Sequence, residues 1–128
     1  DSLSNVRVGV VEGTLQQAYL QGIAIERGLE VLSYRTMADL ITALREDRAE
    51  FLLMPVLSTY ALINREPAGS FEFVGPPVLD RGLGGTVHIV IPKQKPEVLL
   101  VVNQAIAAMR ADGTYQRIVR QFFPFSLD

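Results

Sequence analysis

The chain has 128 residues, 48% of them apolar and 20% charged, with a formal net charge of −2. These values describe one globular domain or part of a larger protein, with a packed core. They exclude an electrostatic case for nucleic acid. Without cysteine there is neither a disulfide nor a cysteine metal site, and no run reaches the roughly 18 apolar residues of a membrane span. No charged-then-apolar leader opens the sequence, so export means a signal already removed or lying outside it.

The first predicted element is a strand: Val6, Val8, Val10 and Val11 form a β-branched run suited to burial in a parallel sheet. Gly13-Thr14 turns it into a helix over Leu15–Arg27, closed by Gly28. A turn of this kind leaves unpaired N–H groups at the carboxyl end of the strand and at the positive end of a helix dipole. A small anion such as a carboxylate binds there. The same residues also serve without a ligand, Gly13 permitting the turn and Thr14 capping the helix.

Leu29–Tyr34 is the second strand. Thr36-Met37-Ala38-Asp39 resembles a capping box with Asp in the place of Glu or Gln. Met37, Leu40, Ile41 and Leu44 then recur at helical spacing. Residues 51–54 form a third buried strand ended by Pro55, residues 57–65 a short helix stopped by Pro67 and Gly69, and residues 71–74 a fourth strand. This βαβαβαβ order predicts an α/β fold, a mostly parallel sheet with helices on both faces. Residues 76–85 are rich in Pro and Gly and read as a crossing or linker. A strand over 86–92 follows, then the longest helix over 96–112, with Val98, Val101, Val102, Ala105 and Met109 on one face and Gly113 ending it. Thr114 can cap a last helix whose Tyr115, Ile118, Val119 and Phe122 share a face.

Four stretches resemble the type II bacterial periplasmic solute-binding proteins, specifically family 3, the substrate-binding proteins of polar amino-acid ABC transporters. Residues 6–14 are similar to that family's strand entering lobe two, with its Gly-Thr ending. Residues 38–51 resemble its helix and Gly-Arg-x-Asp-Ala strand start, with Asp47 where Gly is usual and Glu50 where Asp is usual. Phe73-Val74-Gly75-Pro76-Pro77 matches the strand leading back to the hinge. Asn103-Gln104-Ala105-Ile106, then Ala111-Asp112-Gly113-Thr114-Tyr115-Gln116-Arg117-Ile118 and Phe122-Phe123, resemble the C-terminal signature almost position for position.

The resemblance implies a periplasmic-binding-protein type II-like fold with the first lobe largely absent. Residues 1–80 become a lobe-two-like α/β domain, and residues 81–128 the hinge return and C-terminal lobe-one segment, a strand and two helices. The apolar stripe of that segment needs a cover. A fold-back on the first domain, a homo-oligomer or domain-swapped dimer, or a separately supplied lobe can provide one.

Binding residues follow from the same resemblance. Backbone N–H groups at Gly13, Thr14 and Leu15, with the Thr14 hydroxyl, hold an α-carboxylate in the family. An acidic residue after the third strand pairs with the α-ammonium there, and its position here is Pro55, which has neither charge nor N–H. A desolvated ammonium without a counter-ion costs on the order of several kcal/mol. The expected solute is therefore small, carboxylate-bearing and amino-acid-like, without the usual grip on an amino group. Ser58, with Thr59 and Tyr60 beside it, either donates a neutral hydrogen bond to the solute or caps the third helix.

The function so implied is not enzymatic: a periplasmic solute-binding module of an ABC-type import system, with an ABC transporter permease as partner and no cofactor, metal or nucleic acid. The ligand bridges two lobes and stabilises their closed state. Two alternatives keep the fold, a ligand-sensing domain of a membrane receptor and a non-binding oligomeric derivative. An enzyme on this fold, such as an exported dehydratase of aromatic-amino-acid synthesis, needs acid–base residues around the cleft, and Glu12 is the one candidate. His88 is the single histidine and lacks cysteine or nearby carboxylate partners for a metal. Asp80-Arg81 reads as a hinge ion pair, Glu46-Asp47-Arg48 as a solvated helix end, and Tyr19, Tyr34 and Tyr60 as core edge or aromatic surface. No nucleophile–base–orienter set or phosphate loop is present.

Overall fold

In the computed structural model, which describes residues 5–85 and 88–127, the chain divides after Gly85 into two units. The first is built outward from β1 (Val6–Val11). On one side β1 pairs in parallel with β2 (Leu29–Tyr34) along its whole length, Val6 opposite Leu29 and Val11 opposite Tyr34. On the other it pairs in parallel with β3 (Phe51–Leu52), Val8 opposite Phe51. The order is β2-β1-β3, so β1 has a neighbour on each edge.

Alternation along β1 then assigns the two faces. Val8 and Val10 pack against Leu20 of α1 (Leu15–Arg27), with Tyr19 and Ile23 around them. Gly9, between those valines, points the other way, towards α2 (Met37–Arg45). A Cβ on Gly9 would lie 2.8 Å from Leu40 Cδ1 and 2.9 Å from Leu52 Cδ2. Helices therefore cover both faces, and α2 comes down close on the sheet because Gly9 has no side chain. Leu40 and Ala43, on the covered side of α2, are wholly buried.

The α2–β3 connection explains one departure from the family pattern. Asp47 sits at φ 56°, a left-handed backbone that suits glycine and that Asp tolerates better than most residues. Two residues on, Ala49 is buried. Glu50 then ties β3 to β1: its carboxylate accepts from the Arg7 N–H at 2.9 Å, and its own N–H donates to the Arg7 carbonyl at 2.9 Å.

The third and fourth predicted strands need correction. β3 pairs over two residues where four were expected, and the last link of the ladder is Leu53 N–H to Gly9 O at 3.0 Å. Pro55 then starts α3 (Val56–Arg65). So short a β3 offers too little edge for another partner, and residues 71–74 form no strand. Phe73 and Val74 remain exposed, with the Phe73 ring centroid 6.2 Å from that of Tyr60.

In the second unit, the strand expected over 86–92 falls partly outside the described residues, at 86 and 87; residues 88–92 carry no regular structure. α4 (Pro96–Ala111) and α5 (Thr114–Phe122) follow. Thr114 is the first residue of α5 and not its cap. Gly113, at φ 82°, turns the chain, and the Asp112 carboxylate takes the Thr114 N–H at 2.9 Å. The Arg110 guanidinium lies over the Tyr115 ring, 4.6 Å from its centre.

Candidate functional site

The connection after β1 leads to β2, and the connection after β2 crosses to the far side of β1. The carboxyl ends of β1 and β3 thus flank a topological switch point, the place where open α/β sheets bind ligands. Two turns lie there, residues 12–15 and residues 53–56, held side by side by the Leu53–Gly9 hydrogen bond.

In the first turn Gly13 adopts φ 74° with nothing within 4 Å of where a Cβ would stand, so glycine is required by backbone conformation and not by space. The Thr14 hydroxyl donates to the Val11 carbonyl at 2.6 Å and accepts from the Gln17 N–H at 3.2 Å. It caps α1. Gln17 closes the arrangement. Its Oε1 accepts from the Gly13 N–H at 2.8 Å and its Nε2 donates to Ser33 Oγ on β2 at 2.9 Å. Thr14-Leu15-Gln16-Gln17 is a Thr-x-x-Gln capping box whose carboxamide reaches one residue further back than usual. Sequence reasoning missed Gln17, although that spacing was its signal. Among the described residues, the N–H groups of Thr14, Leu15 and Gln16 find no acceptor in the chain. They stand at the positive end of α1.

Glu12 donates its N–H to the Tyr34 carbonyl at 2.8 Å. Its carboxylate lies 3.7 Å from Arg35 Nε, with both side chains exposed, an ion pair of little energetic value. Nothing around it completes an acid–base set.

The second turn carries Pro55 at φ −57°, the N-terminal flank of α3, with no side-chain cap. Its carbonyl accepts from both the N–H and the hydroxyl of Thr59, each at 3.0 Å. Because α3 begins at Val56, Ser58 is its third residue and does not cap it. Ser58 lines instead a cleft of about 350 Å³ between α2 and α3, with Met37, Ile41, Met54 and Leu62, and the Arg45–Glu66 ion pair closes its rim. The structure thus brings Gly13, Thr14 and Leu15 into one turn, sets Pro55 on the neighbouring turn and places Ser58 in the α2–α3 cleft.

Asp80 and Arg81 form no ion pair with each other among the described residues. Arg81 takes a left-handed φ of 49° in the turn, and the two side chains line a separate hollow of about 270 Å³ over Tyr19 and Ile23. Burial, and then the Asp80 carboxylate, push the Tyr19 hydroxyl above its ordinary pKa. Tyr19 belongs to the core edge. His88 is exposed. Among the described residues no group of three His, Cys, Asp or Glu side chains can hold a metal ion, and no helix is long and apolar enough to cross a membrane.

A parallel sheet covered on both faces, with open N–H donors at its switch point, belongs to the α/β ligand-binding architectures. Comparison with known proteins narrows this: residues 15–125 match the profile of the bacterial extracellular solute-binding proteins, family 3, and the chain belongs to that family. It is 30% identical over 129 residues to the histidine-binding periplasmic protein of Escherichia coli (strain K12), covering 99% of this chain and 50% of that protein. With the lysine/arginine/ornithine-binding periplasmic protein of the same strain the identity is 28%, with the same coverage. With the L-arginine-binding protein of Pseudomonas aeruginosa it is 27%, over 98% of this chain and 49% of the relative. The chain spans about half the length of the curated relatives it matches. The family and these relatives are binding proteins and not enzymes.

Proposed function

We propose that this chain is the lobe-two half of a periplasmic solute-binding protein serving an ABC-type importer, with residues 1–80 as that lobe and 81–128 as the hinge return and C-terminal lobe-one segment. It takes the carboxylate of a small amino-acid-like solute on the turn after β1 and closes a cleft with the lobe that faces it. The single observation that carries this reading is the set of free N–H groups at Thr14, Leu15 and Gln16, at the switch point and the start of α1. Pro55, on the neighbouring turn, gives a ligand ammonium no counter-ion, so the carboxylate is the group this half selects. Delivery of the solute to an ABC permease follows from the same reading, with relatives named for binding histidine, lysine, arginine and ornithine as support.

One observation favours a second reading, the non-binding oligomeric derivative. Leu99, Leu100, Val101, Ile118 and Phe122 are all exposed, and a second copy can cover them.

A panel of organic acids and amino acids, followed by thermal shift, tests the first reading. At least one carboxylate should raise the melting temperature, and Thr14→Ala should weaken that response while costing about 1 kcal/mol of stability through the lost cap. Flat responses to every acid, with a concentration-dependent dimer in sedimentation, overturn it in favour of the second.

A further inference from the structure

We infer that Gln17 sets the carboxylate affinity of this turn by acting as a built-in competitor for the Gly13 N–H; the inference rests on the proposed carboxylate reading. The Gly13 N–H can only donate, so the atom 2.8 Å away is the carboxamide oxygen of Gln17 and the other atom is its nitrogen. That nitrogen is itself anchored, 2.9 Å from Ser33 Oγ on β2, sixteen positions along the chain. The Gln17 backbone is fixed a third time, by its N–H on the Thr14 hydroxyl at 3.2 Å. A long, half-buried side chain held at both ends is a constructed feature, since ordering it costs rotamer entropy.

Two consequences follow for an incoming anion. The turn presents three N–H donors, at Thr14, Leu15 and Gln16, instead of four. An acceptor oxygen with a partial negative charge also stands beside those donors and faces the same solute oxygens. A charge-assisted hydrogen bond is roughly twice as strong as a neutral one, so a carboxylate able to reach Gly13 gains by displacing the carboxamide, and one unable to reach it meets the repulsion alone. Gln17 is thus a positioning residue that grades acidic groups by their reach.

Two substitutions separate this role from a purely structural one. Gln17→Glu keeps an acceptor on the Gly13 N–H and complements the dipole of α1, so stability is retained, but it sets a full negative charge beside the donors. Gln17→Ala removes the strap, loosens the turn and frees Gly13. The readout is an amide NMR titration of the full 128-residue chain with acetate, following Thr14, Leu15 and Gln16, together with urea unfolding of each variant. Expected are about threefold tighter acetate binding with lower stability for Gln17→Ala, and about tenfold weaker binding with unchanged stability for Gln17→Glu, the latter loss shrinking as salt is added. If affinity instead falls with stability, so that Gln17→Ala is the weaker binder, the inference is overturned. It is overturned alone if all three chains bind acetate equally. If acetate moves none of these amides in any of the three, the carboxylate reading falls with it.

Discussion

The β1-centred unit and the α4–α5 pair are both rich in apolar side chains, but they keep them in different places. In the first, Val8, Val10, Leu20, Leu40, Ala43 and Ala49 are buried, because β1 has a face for α1 and a face for α2. Among the described residues after Gly85, Val119 alone is buried, while residues 98–101, Ile118 and Phe122 are exposed. Two helices touching along one seam cannot enclose stripes that point away from that seam. The first unit has its own core. The second has a surface that waits for one, and its local devices (the Asp112 cap and the Arg110–Tyr115 stack) hold the turn between the helices without enclosing anything.

The largest test of this contrast is truncation of one buried side chain in each unit. Leu40→Ala should cost about 3 kcal/mol in urea unfolding. Val119→Ala should cost no more than about 1.5 kcal/mol, because it removes only two carbons and no other described side chain of that unit is buried with it. Equal costs would mean that the hairpin has a core after all and would break the comparison. Gly9→Ala comes next. Its Cβ must move the ends of Leu40 and Leu52, so a loss of about 1–2 kcal/mol is expected, and shortening Leu52 to Val in the same chain should recover part of it. A double variant no more stable than Gly9→Ala would contradict the close approach of α2.

The smallest effect is on pH dependence. The Thr114 hydroxyl first, and then its N–H, hold the exposed Asp112 carboxyl below its ordinary value of 3.8. A folded pKa below the unfolded one stabilises at pH above the unfolded value, and that contribution is lost as pH falls through the folded one. The start of α5 should therefore fray on acidification below 3.8, read as a shift of the Thr114 amide with pH. A Thr114 amide that does not titrate with Asp112 would remove the cap from the account.

What the sequence made legible was local. The valines of β1 and the apolar spacing of α2 encode their elements in a few neighbouring residues, and both form where expected. Half of the capping box read at Thr36 is recorded, its hydroxyl accepting from the Asp39 N–H at 3.1 Å. Residues 71–74 have strand composition, but a strand also needs an edge, and two-residue β3 does not provide one. Ser58 shows the same limit at smaller scale, since a helix beginning at Val56 changes a capping position into an interior one. In the turn after β1, the left-handed Gly13 and the Thr14 cap were legible because backbone requirements and capping are properties of residue type. Gln17 was missed in spite of its Thr-x-x-Gln spacing, and its second anchor, Ser33, comes within reach only through the β1–β2 pairing.

The position of β1 in the middle of the sheet also sets a timetable for folding. β2 follows it after a single helix, whereas Arg7 must find Glu50 across 43 positions, and closing the longer loop is the slower event. During synthesis β1 is therefore expected to spend an interval paired on one edge only. An open strand edge invites other chains to add to it, and a cation there is a common deterrent. Arg7 lies along that edge, and its Nη1 later donates to the Arg48 carbonyl at 3.1 Å. The residue that ties β3 to β1 in the finished sheet thus also sets a cation on the edge that stays open until β3 arrives.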